Sequence, residues 1–406
     1  VGITAPVLWL VAGIITAVSV GFSVQVAQDI GAGDIARASK VTGQSISASV
    51  LFGIALSVTG LLLSPFLPLW LGATGDVAVM ASQYFTIMSI SFFFNSLEMN
   101  FSSILRCTGD TTSPLIANSM AIILNIFMNW LFIFPARTIT VFGRSVEVWG
   151  AGMGVAGAAL GSAISIAAAA FLLIIPMFAG KRGIKIHAAD IFHFDREILS
   201  RVCELGVPVG LERITLSFGQ VLFMRMVSNM GTTAIAAHHL AIQAESLSYM
   251  PSFGFAVAAT TLVGQSIGAD DRPRAKRFGT IASNMGAIGM TITGLMLFFL
   301  AEPIIALFTH DANVIKLGGV LVRIVAFAQP MEAYATIYAG ALRGAGDSRW
   351  PFYINLVGVW GFRIGLSVIF VFVFKWGLPS LWFAMLVDIT FRGIICRKRF
   401  LNNILR

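Results

Sequence analysis

The stretch LRCTGDTTSP (Leu105–Pro114) and the stretch LRGAGDSRWP (Leu342–Pro351) share the pattern Leu-Arg-x-x-Gly-Asp-x-x-x-Pro. The two copies lie 237 residues apart. A second pair of segments, AQDIGAGDIARASK (Ala27–Lys40) and GQSIGADDRPRAKR (Gly264–Arg277), has the same offset. Because two separate motifs share one offset, the chain contains an internal repeat, and that repeat defines its architecture.

Several residues of these motifs coincide when the second copy is moved back by the offset. They are Gln28 with Gln265, Gly31 with Gly268, Arg106 with Arg343, Gly109 with Gly346, and Asp110 with Asp347. In each Leu-Arg segment, Gly permits the positive φ of a tight turn. Asp can hydrogen-bond the local backbone, and Pro suits the first turn of a following helix. We therefore interpret these residues as structural rather than catalytic.

The composition indicates a membrane protein. Hydrophobic residues make up 57% of the chain and charged residues only 11%, against about 25% charged residues in a soluble domain. Apolar stretches of about 20 residues, enough to cross a bilayer core, recur along the chain. We predict eleven spans, at about 5–27, 43–64, 79–104, 114–135, 150–178, 205–229, 234–265, 279–300, 316–340, 352–374 and 379–395. The longest run, 234–265, could break near Pro251. The predicted fold class is an all-α polytopic membrane protein.

Lysine and arginine follow the odd-numbered spans, as in Arg272–Arg277 and Arg397–Arg399. Such loops are cytoplasmic by the positive-inside rule, which places the C-terminus in the cytoplasm. The net charge of +8 is then a topology signal, and we expect the lipid bilayer rather than nucleic acid as the partner. The three cysteines form no CxxC pair, so we expect neither a disulfide framework nor a cofactor or metal centre built on them.

Six predicted spans separate Gln28 from Gln265, so the two halves point the same way across the membrane. This is a parallel repeat. We predict an N-terminal lobe at 1–178, a linker with an amphipathic interfacial helix at 179–204, and a C-terminal lobe at 205–406. The second lobe has six spans and the first shows five, so we expect one more helix ahead of residue 1 in the intact protein.

Carboxylates at membrane depth are the first candidates for a function. Glu332, Glu212 and Glu245 lie within predicted spans. A carboxyl group in apolar surroundings can exchange a proton near neutral pH, so each is a candidate for ion coupling; a satisfied interhelical hydrogen bond is the alternative. Glu332 ranks first, because Pro330 loosens the backbone beside it.

Other polar residues within the spans are weaker candidates. Asn125 and Asn129 stand one helical turn apart, where they could coordinate a cation such as Na⁺ or bridge helices. The candidates for lining a substrate cleft are His239, Gln243, Asn95 and Glu98. The aromatic and methionine content, with 33 Phe and 16 Met, suits loose binding of bulky organic cations.

We predict no enzyme activity. The segment GQSIG (Gly264–Gly268) matches a nucleophile elbow, but that motif needs a strand-turn-helix context. Here it ends a membrane helix, and its repeat partner has Asp29 where Ser266 stands. The sequence contains no HExxH or Walker motif either.

The segment that begins GVPVGLERITLSFGQ at Gly206 and ends GQSIGADD at Asp271 resembles the seventh and eighth helices of multidrug and toxic compound extrusion (MATE) transporters. VAQDIGAGD and LRCTGDTTSP resemble their second helix and fourth-to-fifth loop. The resemblance covers essentially the whole chain and is to bacterial DinF- and NorM-like members of the MOP flippase superfamily. It implies two six-helix lobes around a central cleft, with the family's first helix missing here.

The resemblance also implies a function. It implies an antiporter, monomeric and in the bacterial inner membrane, that exports amphipathic, often cationic drugs in exchange for H⁺ or Na⁺. A lipid-linked oligosaccharide or lipid flippase of the same superfamily is the alternative. Two departures affect the ion site. The family's fifth helix often has Asn-x-x-x-Asp, whereas this chain has Asn125 and Asn129. Some relatives use a carboxylate on the seventh helix, where this chain has Leu216, with Glu212 one turn earlier.

Overall fold

The computed structural model describes residue 2 and residues 4–141, 144–180, 184, 186–187, 190–191 and 194–403. Nearly all of these residues are helical, which confirms the predicted fold class. The helices are α1 Ala5–Ala32, α2 Ile35–Leu63, α3 Leu67–Trp70, α4 Gly75–Cys107, α5 Thr112–Ile133, α6 Gly154–Phe178, α7 Arg196–Ser228, α8 Thr232–Gly268, α9 Arg272–Phe299, α10 Ala301–Ala306, α11 Ala312–Ala326, α12 Gln329–Gly344, α13 Arg349–Val373 and α14 Leu378–Asn403.

Within the described residues, nine helices are long and apolar enough to cross a membrane. They are α1, α2, α4, α5, α6, α8, α9, α13 and α14. The pair α11 and α12, bent by 53° at its break, forms a tenth candidate span. The chain is therefore a multi-pass membrane protein.

The predicted span at 205–229 lies in α7, a continuous helix of 33 residues. This helix is not among the apolar set, because Glu212 and Arg213 interrupt its apolar sequence. It also begins at Arg196 rather than at residue 205. The last residues of the predicted interfacial helix are thus the first turns of α7, and the rest of that segment lies largely outside the described residues.

The chain divides into two compact units. The N-terminal unit contains residues 1–26 and 34–206, and the C-terminal unit contains residues 27–33 and 207–406. In the N-terminal unit, α4 packs on α2 and α6, and α5 packs on α6. In the C-terminal unit, α8 packs on α9, α11 and α12, while α12 also packs on α14. The predicted lobe limits stay a prediction.

The two Leu-Arg segments fold into the same turn. Gly109 has φ 83° and Gly346 has φ 88°. The Asp110 N–H donates to the Leu105 carbonyl at 2.9 Å, and the Asp347 N–H donates to the Leu342 carbonyl at 2.9 Å. This is the helix-ending motif in which a left-handed Gly follows the cap and the next N–H reaches back over the last turn. The predicted role of Gly in these segments is confirmed.

The other repeated motif forms a close helix crossing inside the C-terminal unit, where the end of α1 meets the end of α8. A Cβ on Gly31 would overlap the Gln265 carbonyl oxygen, and a Cβ on Gly268 would overlap the Gln28 carbonyl oxygen. Gln28 Nε2 also donates to the Gly344 carbonyl at 3.0 Å. Small residues let membrane helices approach this closely.

Three features differ from the expected span pattern. Strands β1 (Pro135–Val141) and β2 (Arg144–Ala151) form an antiparallel pair after α5, which was not predicted. The predicted span at 316–340 is broken into α11 and α12, with Pro330 in the first turn of α12. Helix α8 runs unbroken through Pro251, so the break considered there does not occur.

Candidate functional site

Glu212 is held firmly in the C-terminal unit. Its side chain lies on α7 and is only 5% exposed. Arg343 Nη2 donates to both carboxylate oxygens, at 2.6 and 2.8 Å, and Asn355 Nδ2 donates at 2.8 Å. Arg343 reaches this position because the Leu-Arg turn ends α12 there. Such short hydrogen bonds hold the Glu212 side chain in one position.

Asp388 on α14 is the centre of a second buried cluster. It is fully buried, and Arg363 donates to it through Nη2 at 2.7 Å. Arg392, one turn further along α14, donates through Nε at 2.9 Å. Arg363 lies in a wide-turn (π-helical) segment of α13, Val357–Ile364. Arg392 also donates to Asn355 Oδ1 at 2.9 Å, which joins this cluster to Glu212.

Glu332 is held more loosely than these two acids. It stands in the first turn of α12, directly after the bend, and accepts a hydrogen bond from Thr336 Oγ1 at 3.1 Å. Its only ion-pair contact in the described residues is to Arg392 Nη2 at 3.5 Å. Its Oε2 is buried and has no hydrogen-bond partner among the described residues.

Glu245 on α8 is buried, at 7% exposure, and has no ion pair within 4 Å in the described part of the chain. Gln329 and the charged group of Glu332 lie within electrostatic range of it. Gln329 is the first residue of α12, and its Oε1 accepts from Ser248 Oγ at 2.7 Å. Glu245 on α8 thus lies within electrostatic range of the first turn of α12, which follows the α11–α12 bend. A buried acid without a paired cation is costly in the ionised form.

The structure brings the two asparagines of the N-terminal unit together. Asn129 Nδ2 donates to Asn125 Oδ1 at 3.0 Å, and Asn125 Nδ2 contacts Ser162 Oγ on α6 at 3.3 Å. Asn129 Oδ1 is buried and lacks a partner in the described residues. The pair joins α5 to α6, and it leaves one amide oxygen free for a cation or a water.

The cleft candidates on α8 do not converge with Glu245. His239 and Gln243 are exposed and one turn apart, whereas Glu245 is buried on another face of the helix. The neighbouring His238 is the buried histidine, and it accepts a hydrogen bond from Trp382 Nε1 at 3.2 Å. In the N-terminal unit, Asn95 and Glu98 are half-buried on α4.

The residues that sequence reasoning missed are the cationic partners. Arg392 was not selected, yet it bonds Asp388 and Asn355 and is the nearest cation to Glu332. The spacing of Asp388 and Arg392, four residues apart on a helix, is typical of a side-chain pair and was the available signal. Among the described residues, no group of three or more His, Cys, Asp or Glu is arranged to hold a metal ion.

A duplicated, multi-pass helical fold with ionisable side chains buried inside its spans is the architecture of a secondary membrane transporter. The MatE family model matches residues 1–131 and 208–369. The chain belongs to the MatE family.

The chain is similar along its whole length to other members. The probable multidrug resistance protein NorM of Thermotoga maritima is 28% identical over 99% of this chain and 84% of its own length. The uncharacterized transporter YisQ of Bacillus subtilis is 25% identical over 100% of this chain and 86% of its own. A solved MOP superfamily transporter from Pyrococcus furiosus, described as having a binding pocket of reverse polarity, superposes with a TM-score of 0.90. It is 21% identical and covers 100% of this chain and 87% of its own, which shows a shared fold.

Proposed function

We propose that this protein exports amphipathic, cationic small molecules by ion-coupled alternating access, with Glu245 and Glu332 as its coupling carboxylates. Relatives named as probable multidrug resistance proteins support the drug-export part of the proposal. The proposal assigns Glu212, ranked beside them from the sequence, a structural role, because Arg343 and Asn355 hold it.

One observation carries the proposal. Among the buried acids of the C-terminal unit, Glu212 and Asp388 each accept hydrogen bonds from arginine at 2.9 Å or less. Glu245 has no such partner in the described residues, and Glu332 has only the 3.5 Å contact with Arg392. Glu212 and Asp388 are thus already paired with a positive charge. The two loosely held carboxylates are available to bind a proton, Na⁺ or a cationic substrate.

The position of these acids supports a link to conformational change. Gln329 and Glu332 lie in the first turn of α12 and within electrostatic range of Glu245, so the charge of the two acids acts beside the bend between α11 and α12. Two like charges within electrostatic range repel each other, and binding one proton or cation relieves the repulsion. If a carboxyl pKa differs by about two units between two forms, the balance between the forms shifts by about 2.7 kcal/mol.

Aromatic side chains lie near the two acids, and they favour a cationic substrate. Tyr249 lies one turn after Glu245 on α8 and within electrostatic range of Glu245 and Glu332. Phe253 packs on it edge to face, with ring centroids 5.9 Å apart. A cation beside a carboxylate and over aromatic rings gains both Coulomb and cation–π attraction.

The proposed location is the bacterial inner membrane, with the basic loops and the C-terminus in the cytoplasm.

Reconstitution of the intact transporter with a fluorescent lipophilic cation tests the proposal. Vesicles are loaded with dye and given a pH gradient, a Na⁺ gradient or neither. We expect dye movement driven by one of the two gradients and lost in Glu245→Gln and Glu332→Gln. Glu302→Gln is the matched control, because Glu302 is an exposed acid paired with Arg323. Dye movement that ignores both gradients, or that persists at the control rate in both variants, would overturn the proposal.

A further inference from the structure

The first turns of α9 and the last turns of α14 lie side by side in the C-terminal unit. A Cβ on Gly279 of α9 would overlap the Phe400 ring of α14, and Ala275 and Phe400 are buried in the same hydrophobic cluster. The two helix ends therefore form one surface. We call it the basic surface, and its seven basic residues are Arg272, Arg274, Lys276, Arg277, Arg397, Lys398 and Arg399.

The acids beside this surface do not balance its charge. They are Asp270 and Asp271, which precede α9, and Asp347, which lies in the turn after α12. Asp271 caps α9 by accepting from the Arg274 N–H at 2.9 Å, and Asp347 accepts from Arg399 Nη2 at 3.0 Å. Among the described residues, Arg399 is the one basic residue of this surface with an ion pair within 4 Å. The basic surface therefore has a net positive charge.

Arg397 is positioned by an aromatic ring. Its Cζ lies 5.4 Å from the ring centroid of Tyr334 on α12. The Tyr334 hydroxyl donates to Asn284 Oδ1 on α9 at 3.2 Å, which leaves the Asn284 amide Nδ2 to donate elsewhere. Arg397 and Asn284 are both exposed. The donors of the guanidinium and of the amide are therefore available to an acidic ligand.

Exposed apolar side chains adjoin the basic surface. On α9, Ile281, Met285 and Ile288 are exposed and share one helix face. On α14, Ile394 is exposed one turn before Arg397. Both helices are candidate membrane spans, so these side chains lie where acyl chains are present. A soluble polyanion would bind the basic residues alone, whereas a phospholipid has both a phosphate and acyl chains.

We propose that the basic surface is a specific binding site for an anionic phospholipid. Arg397 and Asn284 hold its phosphate, and its acyl chains lie along the exposed apolar side chains of α9 and α14. The Tyr334 ring stabilises the guanidinium, and the other basic residues attract the negative headgroup. A zwitterionic phospholipid has the same acyl chains but no net charge, so the surface discriminates against it. The site does not include the acids of the proposed function.

Native mass spectrometry of the detergent-purified protein tests the proposal. The protein is titrated with phosphatidylglycerol or with phosphatidylcholine of the same acyl chains. We expect the wild-type protein to bind one phosphatidylglycerol more tightly than phosphatidylcholine. Arg397→Gln should weaken phosphatidylglycerol binding about fivefold and leave phosphatidylcholine binding unchanged. Equal affinity of the wild-type protein for the two lipids, or wild-type phosphatidylglycerol binding in Arg397→Gln, would overturn the proposal.

Lys316→Gln is the matched control. Lys316 is an exposed cation near the start of α11, at the opposite end of the α11–α12 pair from the Asp347 turn. It should bind phosphatidylglycerol as the wild-type protein does, and an equal loss in Lys316→Gln and Arg397→Gln would contradict a localised site. If Arg397→Gln does not fold, Arg277→Gln and Lys398→Gln replace it, because both side chains are exposed. Each should weaken phosphatidylglycerol binding about fivefold, and unchanged affinity in both would contradict the proposal.

A water-soluble competitor distinguishes a lipid from a free phosphate compound. Glycerol phosphate has the phosphate group but no acyl chains. We expect it not to displace phosphatidylglycerol when the two are present at equal concentration, because the apolar part of the site stays unfilled. Displacement at equal concentration would show that the basic surface binds a soluble phosphate compound, and it would contradict the assignment of a phospholipid.

Discussion

The turn after α4 and the turn after α12 share a backbone conformation, but their arginines bind different groups. Gly109 and Gly346 adopt the same left-handed conformation, and the following Asp N–H closes each turn at the same distance. The arginines differ: Arg343 binds the Glu212 carboxylate, whereas Arg106 binds serine hydroxyls. The repeat therefore conserves the helix connections, and the buried charges have diverged between the units. The same substitution made at both members of a repeat pair should then have equal effects where the backbone is shared, and unequal effects where the buried charges differ.

The arginines should show the largest difference. Arg343→Ala leaves Glu212 buried with Asn355 as its one hydrogen-bond partner among the described residues, and breaking a buried ion pair costs about 3–5 kcal/mol. Arg106→Ala removes hydrogen bonds to hydroxyl groups, which contribute about 1 kcal/mol. Unfolding of both variants in detergent measures the two free energies. Equal losses would show that the two turns are chemically as well as geometrically equivalent.

The turn glycines should show equal effects. Gly109→Ala and Gly346→Ala each force an alanine into the left-handed region, at a cost of about 1–2 kcal/mol. The same unfolding measurement compares the two variants. A cost confined to one turn would mean that the other can relax into a different backbone, and the shared geometry would then not be a property of the repeat.

The smallest effect concerns an exposed ion pair of the N-terminal unit. A hydrogen bond from Lys40 holds the pKa of Asp195 below its usual value, and the Glu197 N–H adds to this. Because the folded pKa is depressed, this contribution is complete above the pKa of the unfolded chain, about 3.9. It is lost as the pH falls through the folded value. Asp195→Asn should flatten the loss of thermal stability between about pH 5 and pH 3. A curve parallel to wild type would show that the pair adds nothing.

The sequence predicts the membrane spans and the turns well, because both depend on local composition. A run of apolar residues defines a span by itself, and Gly109 and Gly346 stand where a helix must end. The β1–β2 pair was missed although its β-branched runs, TITV at 138–141 and SVEV at 145–148, are a recognised strand signal. The length of α8 was also uncertain, since Pro251 is tolerated inside a helix that neighbouring helices support.

The candidate site could be predicted only in part. Burial of an acid inside a span follows from its position, and this selected Glu212, Glu245 and Glu332. Their different pairing depends on which helices are neighbours, and a single sequence does not contain that information. Arg343 was interpreted as a turn residue, and its contact with Glu212 across 131 residues appears only in the folded protein. The sequence ranking placed Glu332 first, whereas pairing points to Glu245 together with Glu332.

The most direct test of the account compares two kinds of dye movement in vesicles that contain the Glu245→Gln transporter. Gradient-driven efflux needs the acid to change its charge, whereas exchange of labelled for unlabelled dye without a gradient does not. We expect gradient-driven efflux to fall at least about tenfold, within the range of a two-unit pKa difference, while exchange stays close to the wild-type rate. Wild-type gradient-driven efflux in this variant would contradict the assignment of Glu245 as a coupling carboxylate.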